Sequence, residues 1–320
     1  MQSGEIRLDH GLWGALYGFL AATAFSFNDI GIKLLSDGYA LHQVVLIRSV
    51  VGMVLFFAVI LPLAGGFAAL KTRRLGLHVV RGLCVVFANV FFYLGLSVMD
   101  LADAVAIFFV APLVITLFSV VFLGERVGAW RWAAIAAGFA GVLLIVRPGS
   151  SAFQMASLLP LAAAVLYATL HTLTRKIGAT ESAATMLFYI QMMFILTSGA
   201  IGAALGDGSY AGHSEVLEFL TREWVRPDMR DGLLMGAIGI SSVLGGWAIS
   251  QAYRVSAPAM VAPFEYVGMP IALVAGYMIW GDWPVPLAWA GIVLIVGSGL
   301  LLIWREAQAG RVRARERRRA

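Results

Sequence analysis

Six ionisable residues, Asp29, Lys33, Arg48, Arg81, His171 and Glu265, lie inside long apolar runs of this 320-residue chain. At a membrane helix centre such a group costs roughly 2.5–3.5 kcal/mol on insertion scales, so each marks a site or a buried partner. Glu265 follows Pro263 by two residues, and the missing proline N–H loosens a helix at that point. An isolated carboxyl there suits proton coupling, the binding of an amine substrate, or a structural bond to a neighbouring helix. Arg48 offers five fixed donors matched to a carboxylate. Its alternatives are to bind an anionic substrate group, to hold a gate, or to partner Asp29. Asp29 and Lys33 stand four apart with the acid first, the favourable helical order, and are expected to neutralise one another. Arg81, about one turn inside its run, is expected to snorkel to headgroups. His171 changes charge in the physiological range and joins Glu265 as a candidate for proton coupling, its alternative being a histidine satisfied by a neighbouring helix. No second histidine or carboxylate stands at ligand spacing, so neither a metal nor a cofactor is expected. The candidate substrate-binding set is Asn28, Arg48, Asn89, Tyr93, Phe108, Tyr167, Trp247 and Tyr266, apolar walls with a few placed polar groups. Stacking on Trp247 suits an aromatic or cationic metabolite.

The elements that must position these groups follow from composition. The chain is 60% hydrophobic and 13% charged, with mean hydropathy +0.86, and this excludes a soluble globular enzyme. A bilayer core needs roughly 20 apolar residues per helical span. Ten runs qualify, at 12–34, 41–64, 77–98, 102–123, 130–147, 154–174, 184–206, 232–253, 258–280 and 285–304. Backbone amides in hydrocarbon must bond within their own segment or in a closed barrel, and barrel alternation is absent, so the expected class is an all-α polytopic membrane protein. Residues 12–20 imitate a signal peptide, but the segment before them carries Glu5 and Asp9 against Arg7, so they are read as the first span. Cys84 has no partner in the chain, which leaves no disulfide framework.

Orientation follows from alternate-side basic residues. Arg7, Lys71, Arg73, Arg74, Arg126, Arg131, Arg175, Lys176, Arg254 and seven C-terminal arginines share one side; Lys33, Arg147, Arg222, Arg226 and Arg230 share the other. Both termini, 1–11 and the basic tail 305–320, are therefore expected in the cytoplasm. Trp13, Trp130, Trp132, Trp280, Trp283 and Trp304 fall at span ends as interfacial anchors. Loop 207–230 reads as a short amphipathic helix on the outer membrane surface, with Ser214 as its cap.

An internal repeat organises the whole. Gly124-Glu125 is followed by Trp132 and a glycine-bearing apolar run, and Gly281-Asp282 by Trp289 and another. The halves become 12–148 and 153–304, five spans each. An odd number inverts the second copy, a design used by transporters with a midplane site.

The residues that close the first half, Asp103 to Pro112, Phe122-Leu123-Gly124-Glu125-Arg126 and Trp132 to Val146, resemble the EamA-type repeat of the drug/metabolite transporter superfamily. Ala262-Pro263-Phe264-Glu265-Tyr266, Gly281-Asp282-Trp283-Pro284 and Trp289 to Leu302 resemble it again in the second half. The resemblance implies ten helices in two inverted five-helix repeats, a cavity lined by helices 1, 3, 4, 6, 8 and 9, and small-metabolite substrates such as amino acids, amines or carboxylates. Asp282 departs from the glutamate usual in the Gly-Glu motif, and Glu265 stands where a neutral residue is frequent. The expected protein is a secondary transporter of the bacterial inner membrane, monomeric or homodimeric, with a small-molecule substrate and no nucleic-acid partner. The second reading is an intramembrane enzyme on lipid or polyprenyl substrates, with Asp100 and Asp103 as its acids; against it, no Gly-x-Ser-x-Gly elbow, His-Glu-x-x-His helix or Walker loop is present.

Overall fold

The structure is a computed structural model that describes residues 2–123, 128–148, 154–177, 181–212, 214–255 and 264–316. Every regular element among them is helical: α1 (Gln2–Leu35), α2 (Leu41–Leu55), α3 (Leu75–Val98), α4 (Leu101–Phe108), α5 (Ala111–Leu123), α6 (Ala129–Val146), α7 (Leu158–Ile177), α8 (Ala183–Leu205), α9 (Glu215–Thr221), α10 (Met229–Val255), α11 (Gly268–Ala275) and α12 (Pro286–Glu316). Seven segments are long and apolar enough to cross a membrane, and Trp132–Val146, Gly268–Trp280 and Pro286–Leu301 are shorter apolar helices. The run expected as one span at 102–123 is broken between α4 and α5, where Phe109 N–H bonds Val105 O at 3.0 Å and Val110 N–H bonds Ile107 O at 3.1 Å. Pro112 explains the restart, because proline is tolerated only in a helix's first turn. α2 continues through a π turn, Phe56–Ile60, to Leu63. α11 continues through another, Gly276–Trp280, and stops at Gly281, whose φ of 74° is left-handed and suits glycine. The expected span 258–280 begins on residues outside those described.

One end of the bundle gathers residues 36–40, 99–100, 206–212, 214–228 and 281–285. Lys33 Nζ reaches Met99 O there at 2.5 Å, and Tyr39 OH donates to Asp231 Oδ2 at 2.8 Å. The opposite end gathers residues 66–74 and the start of α8, joined by Thr185 Oγ1 to Ala69 O at 2.5 Å and Tyr189 OH to Leu70 O at 3.2 Å. Outward faces stay apolar and exposed: Val54 is 64% exposed, Val293 64% and Leu63 80%. Such a surface suits lipid rather than water. Trp13, Trp130, Trp132, Trp283 and Trp304 are also exposed, as an interfacial belt requires.

α6 and α12 pack through facing glycines. A Cβ at Gly141 would sit 2.7 Å from Gly291 O, and one at Gly291 would sit 2.7 Å from Gly141 O. Neither backbone can yield without separating the helices. Gly141→Val is expected to destabilise by about 1–3 kcal/mol, the usual cost of overpacking. Thermal unfolding in detergent checks this, and an unchanged midpoint would refute the close crossing.

Candidate functional site: a buried polar cluster and an aromatic row

α1, α2, α3 and α10 each send a polar residue to one point. Arg48 is 4% exposed and Asn28 2%. The guanidinium donates from Nη1 to Asn28 Oδ1 at 2.7 Å and from Nη2 to Asn89 Oδ1 at 2.7 Å. Its carbon lies 5.6 Å from the Tyr93 ring centroid and 5.1 Å from that of Phe194. Tyr93 OH donates to Asn28 Oδ1 at 3.0 Å and Asp29 Oδ1 at 3.1 Å. Asn28 Nδ2 donates to Ile238 O at 3.2 Å and to Ser242 Oγ. The amides and carboxylate satisfy a cation that would otherwise be costly to bury.

Four of the sequence candidates, Asn28, Arg48, Asn89 and Tyr93, therefore meet. The expected Asp29–Lys33 pair does not form: Asp29 turns to Tyr93, and Lys33 Nζ bonds the carbonyls of Leu96 (3.0 Å) and Met99 and lies 5.3 Å from the Trp280 ring centroid. Free carbonyls at the end of α3 outcompete the carboxylate one turn back on α1, which accepts from Tyr93 instead. Ser242, absent from the sequence candidates, belongs to the cluster, and Phe194 lies beside it.

A row of rings leads away from Tyr93. Phe92 is 5.4 Å from Tyr93 and 5.0 Å from Phe108; Phe108 is 5.2 Å from Tyr167; Tyr167 is 4.3 Å from His171. These are the separations of interacting aromatic pairs. Glu265 lies within electrostatic reach of Tyr167 and Tyr266, and Tyr266 packs 5.2 Å from Phe109. Trp247 stands apart, 5.6 Å from Tyr17 and edge-on to it, in a separate apolar cluster with Met53, Phe56 and Val243.

Arg81 does not snorkel. It is 4% exposed, and its Nε donates to Thr174 Oγ1 at 2.9 Å. α3 packs along α7, which covers the side chain that a free helix end would leave open.

The segment read as a surface helix is folded into the protein instead. α9 exists, but Phe219 is 2% exposed, Ser214 makes no side-chain cap bond, and Trp224 Nε1 bonds His42 Nδ1 at 2.6 Å. Gln43 clamps Val225 twice, donating to its carbonyl at 2.6 Å and accepting from its N–H at 3.2 Å. Under this cover is a hollow of about 10 Å³ between His42, Val45, Asn89, Phe194, Ser198 and Leu220, room for about one water. Burial of the apolar face against α2 and α3 replaces burial in lipid. Gln43→Ala is expected to lose about 1–3 kcal/mol of local stability, because both Val225 groups lose their partner. Hydrogen exchange should quicken at 222–227 and not along α3; unchanged exchange would refute the clamp.

Charges ring the same end. Asp100, Asp282 and Lys33 interact, and burial together with the Asp282 charge holds the Asp100 carboxyl above its ordinary value despite Lys33. At the opposite end His78 Nε2 meets Glu181 Oε2 at 3.3 Å, Thr72 Oγ1 donates to Glu181 Oε1 at 3.0 Å, and Tyr189 stacks on the imidazole at 4.6 Å. Neither member of that pair stood out in sequence, one sitting at a run's edge and the other in a polar joint. Among the described residues no cluster of metal-ligating side chains occurs.

A bundle with apolar outer faces and polar groups turned to its centre is a multi-pass membrane protein. The sequence pattern of the EamA-like transporter family matches residues 12–147. The chain is 29% identical to a riboflavin transporter of Vibrio cholerae over 94% of this chain and 96% of that one. It is 27% identical to an S-adenosylmethionine uptake transporter of Rickettsia bellii, covering 91% and 93%, and 28% identical to a pseudopaline exporter of Pseudomonas aeruginosa, covering 90% and 95%. A solved crystal structure superposes with a TM-score of 0.62 at 19% identity, covering 90% of this chain and 95% of that one, a likeness of fold alone.

Proposed function

We propose that this protein carries a small metabolite across a bacterial inner membrane by alternating access between two inverted repeats, 12–148 and 153–304, with both termini in the cytoplasm. The observation that carries the reading is the Arg48 cluster, which ties α1, α2 and α3 of the first half to α10 of the second where the halves meet. The match of residues 12–147 to a transporter family and relatives named as transporters support movement of a substrate rather than its conversion.

The packing pairs support the inversion. Count ten spans, with α4 and α5 as the fourth and the three shorter helices among the fifth, ninth and tenth. Exchange span one for six, two for seven, and so on. α1·α10 then becomes α7·α3, α2·α10 becomes α8·α3, and α2·α8, α4·α11 and α6·α12 map onto themselves; all of these pairs are packed. The chain order also puts the end of α5, next to Gly124, opposite Gly281.

The substrate is a metabolite with a flat ring, held among Phe92, Phe108 and Tyr167, with Asn28, Arg48, Asn89 and Tyr93 closing one side and Tyr266 lining the second half; Trp247, in its separate apolar cluster, is left out of the site. Riboflavin and S-adenosylmethionine, the cargoes in the relatives' names, both contain planar heteroaromatic rings. Glu265 couples a proton to the movement, with His171 as relay beside Tyr167. Uptake by sealed proteoliposomes of a panel of flavins, adenosyl compounds, amino acids and amines tests the reading. Unchanged substrate accumulating inside supports it; a new chemical species, or no uptake of any class, refutes it.

A further inference from the structure

We infer that Arg81, with Thr174 and His171 around it, is a subsite for an anionic group, a carboxylate or phosphate, on the transported metabolite; this rests on the transport reading above. Arg81 is 4% exposed. Its Nε is engaged by Thr174 Oγ1, whose own O–H donates to Leu170 O at 2.7 Å. Its Nη1 is buried and has no hydrogen-bond partner among the described residues, and no carboxylate there forms a salt bridge with it. The titratable groups that face it are Cys84 on its own helix and His171 on α7, and neither compensates a cation. Arginine stays charged in proteins, and a buried unpaired charge costs several kcal/mol. Arg48 makes the contrast, since both of its terminal nitrogens already bond protein oxygens. The guanidinium with donors to spare is Arg81.

Its placement fits a cargo rather than a scaffold. Tyr167, His171 and Thr174 follow at i, i+4 and i+7 and share one face of α7. Arg81, Asn89 and Phe92 form the matching stripe on α3 at i, i+8 and i+11. From Tyr167 to Thr174 the helix rises about 10 Å. A ligand whose ring lies among Phe92, Phe108 and Tyr167 would therefore meet Arg81 with an acidic group about 10 Å further along.

Matched probes isolate the acid: riboflavin 5′-phosphate against riboflavin, S-adenosylmethionine against its decarboxylated form, and acetate against acetamide. Each is titrated into the full chain in phosphatidylcholine nanodiscs, with affinity read from intrinsic tryptophan fluorescence. At least one anionic member is expected to bind tighter than its partner by tenfold or more. Arg81→Gln should remove that preference while changing the neutral member's affinity less than twofold. Arg81→Lys, which keeps the charge and loses the planar fork, should lose several-fold, and it carries the test if Arg81→Gln does not fold. The subsite is overturned if no anionic member is preferred, or if the preference survives Arg81→Gln or is undiminished in Arg81→Lys. Uptake of a neutral member would then leave the transport reading standing. Repeating the titration in discs containing phosphatidylglycerol separates the sources of anion: loss of probe binding there would assign Arg81 to a lipid headgroup and overturn the cargo subsite.

Discussion

Arg48→Ala is expected to cost about 1–3 kcal/mol of stability, the range for leaving a buried hydrogen-bonding group without its partner, and to abolish uptake. Asn89 Oδ1 would lose its Arg48 donor, and Asp29 would keep only the hydroxyl of Tyr93 while losing the neighbouring cation. Asn28 Oδ1 would still accept from Tyr93, so the damage concentrates on α3 and the carboxylate. The check is the thermal midpoint in detergent together with uptake in proteoliposomes. The double variant Arg48→Met with Asp29→Asn separates scaffold from mechanism, because it removes both charges and should recover part of the stability. Recovered stability without recovered uptake would mean that the cluster works during transport. Recovery of both would make it a structural rivet, and no loss in the single variant would refute the bonded cluster altogether.

How far this site was legible in sequence depends on whether a residue's partner is local. Asn28, Arg48, Asn89 and Tyr93 were identifiable because a polar group in an apolar run is expensive wherever the run ends up. Ser242 was not, since a serine can bond its own helix's carbonyls and so carries no such cost. Asp29 and Lys33 were assigned to each other on spacing alone, yet helix neighbours gain only about 0.2–0.5 kcal/mol from pairing, and distant partners outbid that. The helices of the fold were legible from length and hydropathy; the breaks at Phe109 and Phe56 were not. One follows from Pro112, a visible signal. The other is a π turn without proline, which has no comparable mark in sequence.

Arg81 and α9 failed for the same reason. Snorkelling and surface docking are properties of an isolated helix facing lipid. Once α7 covers α3, Arg81 has nowhere to reach, and once Trp224 bonds His42 the apolar face of α9 turns inward. Burial by another helix is decided by tertiary packing, which hydrophobic periodicity reports only as a face and not as a partner. That difference matters for function, because it shifts attention from Arg48, whose donors are used, to Arg81, whose donors are not.

Glu265→Gln is expected to abolish the response of uptake to an imposed pH gradient while leaving exchange of labelled for unlabelled substrate intact. The carboxyl lies within electrostatic reach of Tyr167 and Tyr266, and the Tyr167 ring lies 4.3 Å from that of His171, tilted by 60°. Glutamine keeps the size and hydrogen-bonding capacity of the side chain but cannot exchange a proton. Coupling requires that the loaded and empty carrier differ in protonation; exchange requires only that the loaded carrier reorient. The two assays therefore part company if Glu265 is the coupling group and fall together if it is merely structural. The decisive measurement is initial uptake rate with the interior alkaline against the same vesicles with no gradient. A tenfold or greater stimulation in the wild type that survives Glu265→Gln would remove the carboxyl from the coupling step. Loss of stimulation in His171→Gln alone, with Glu265→Gln still responsive, would transfer the role to the imidazole four residues beyond Tyr167.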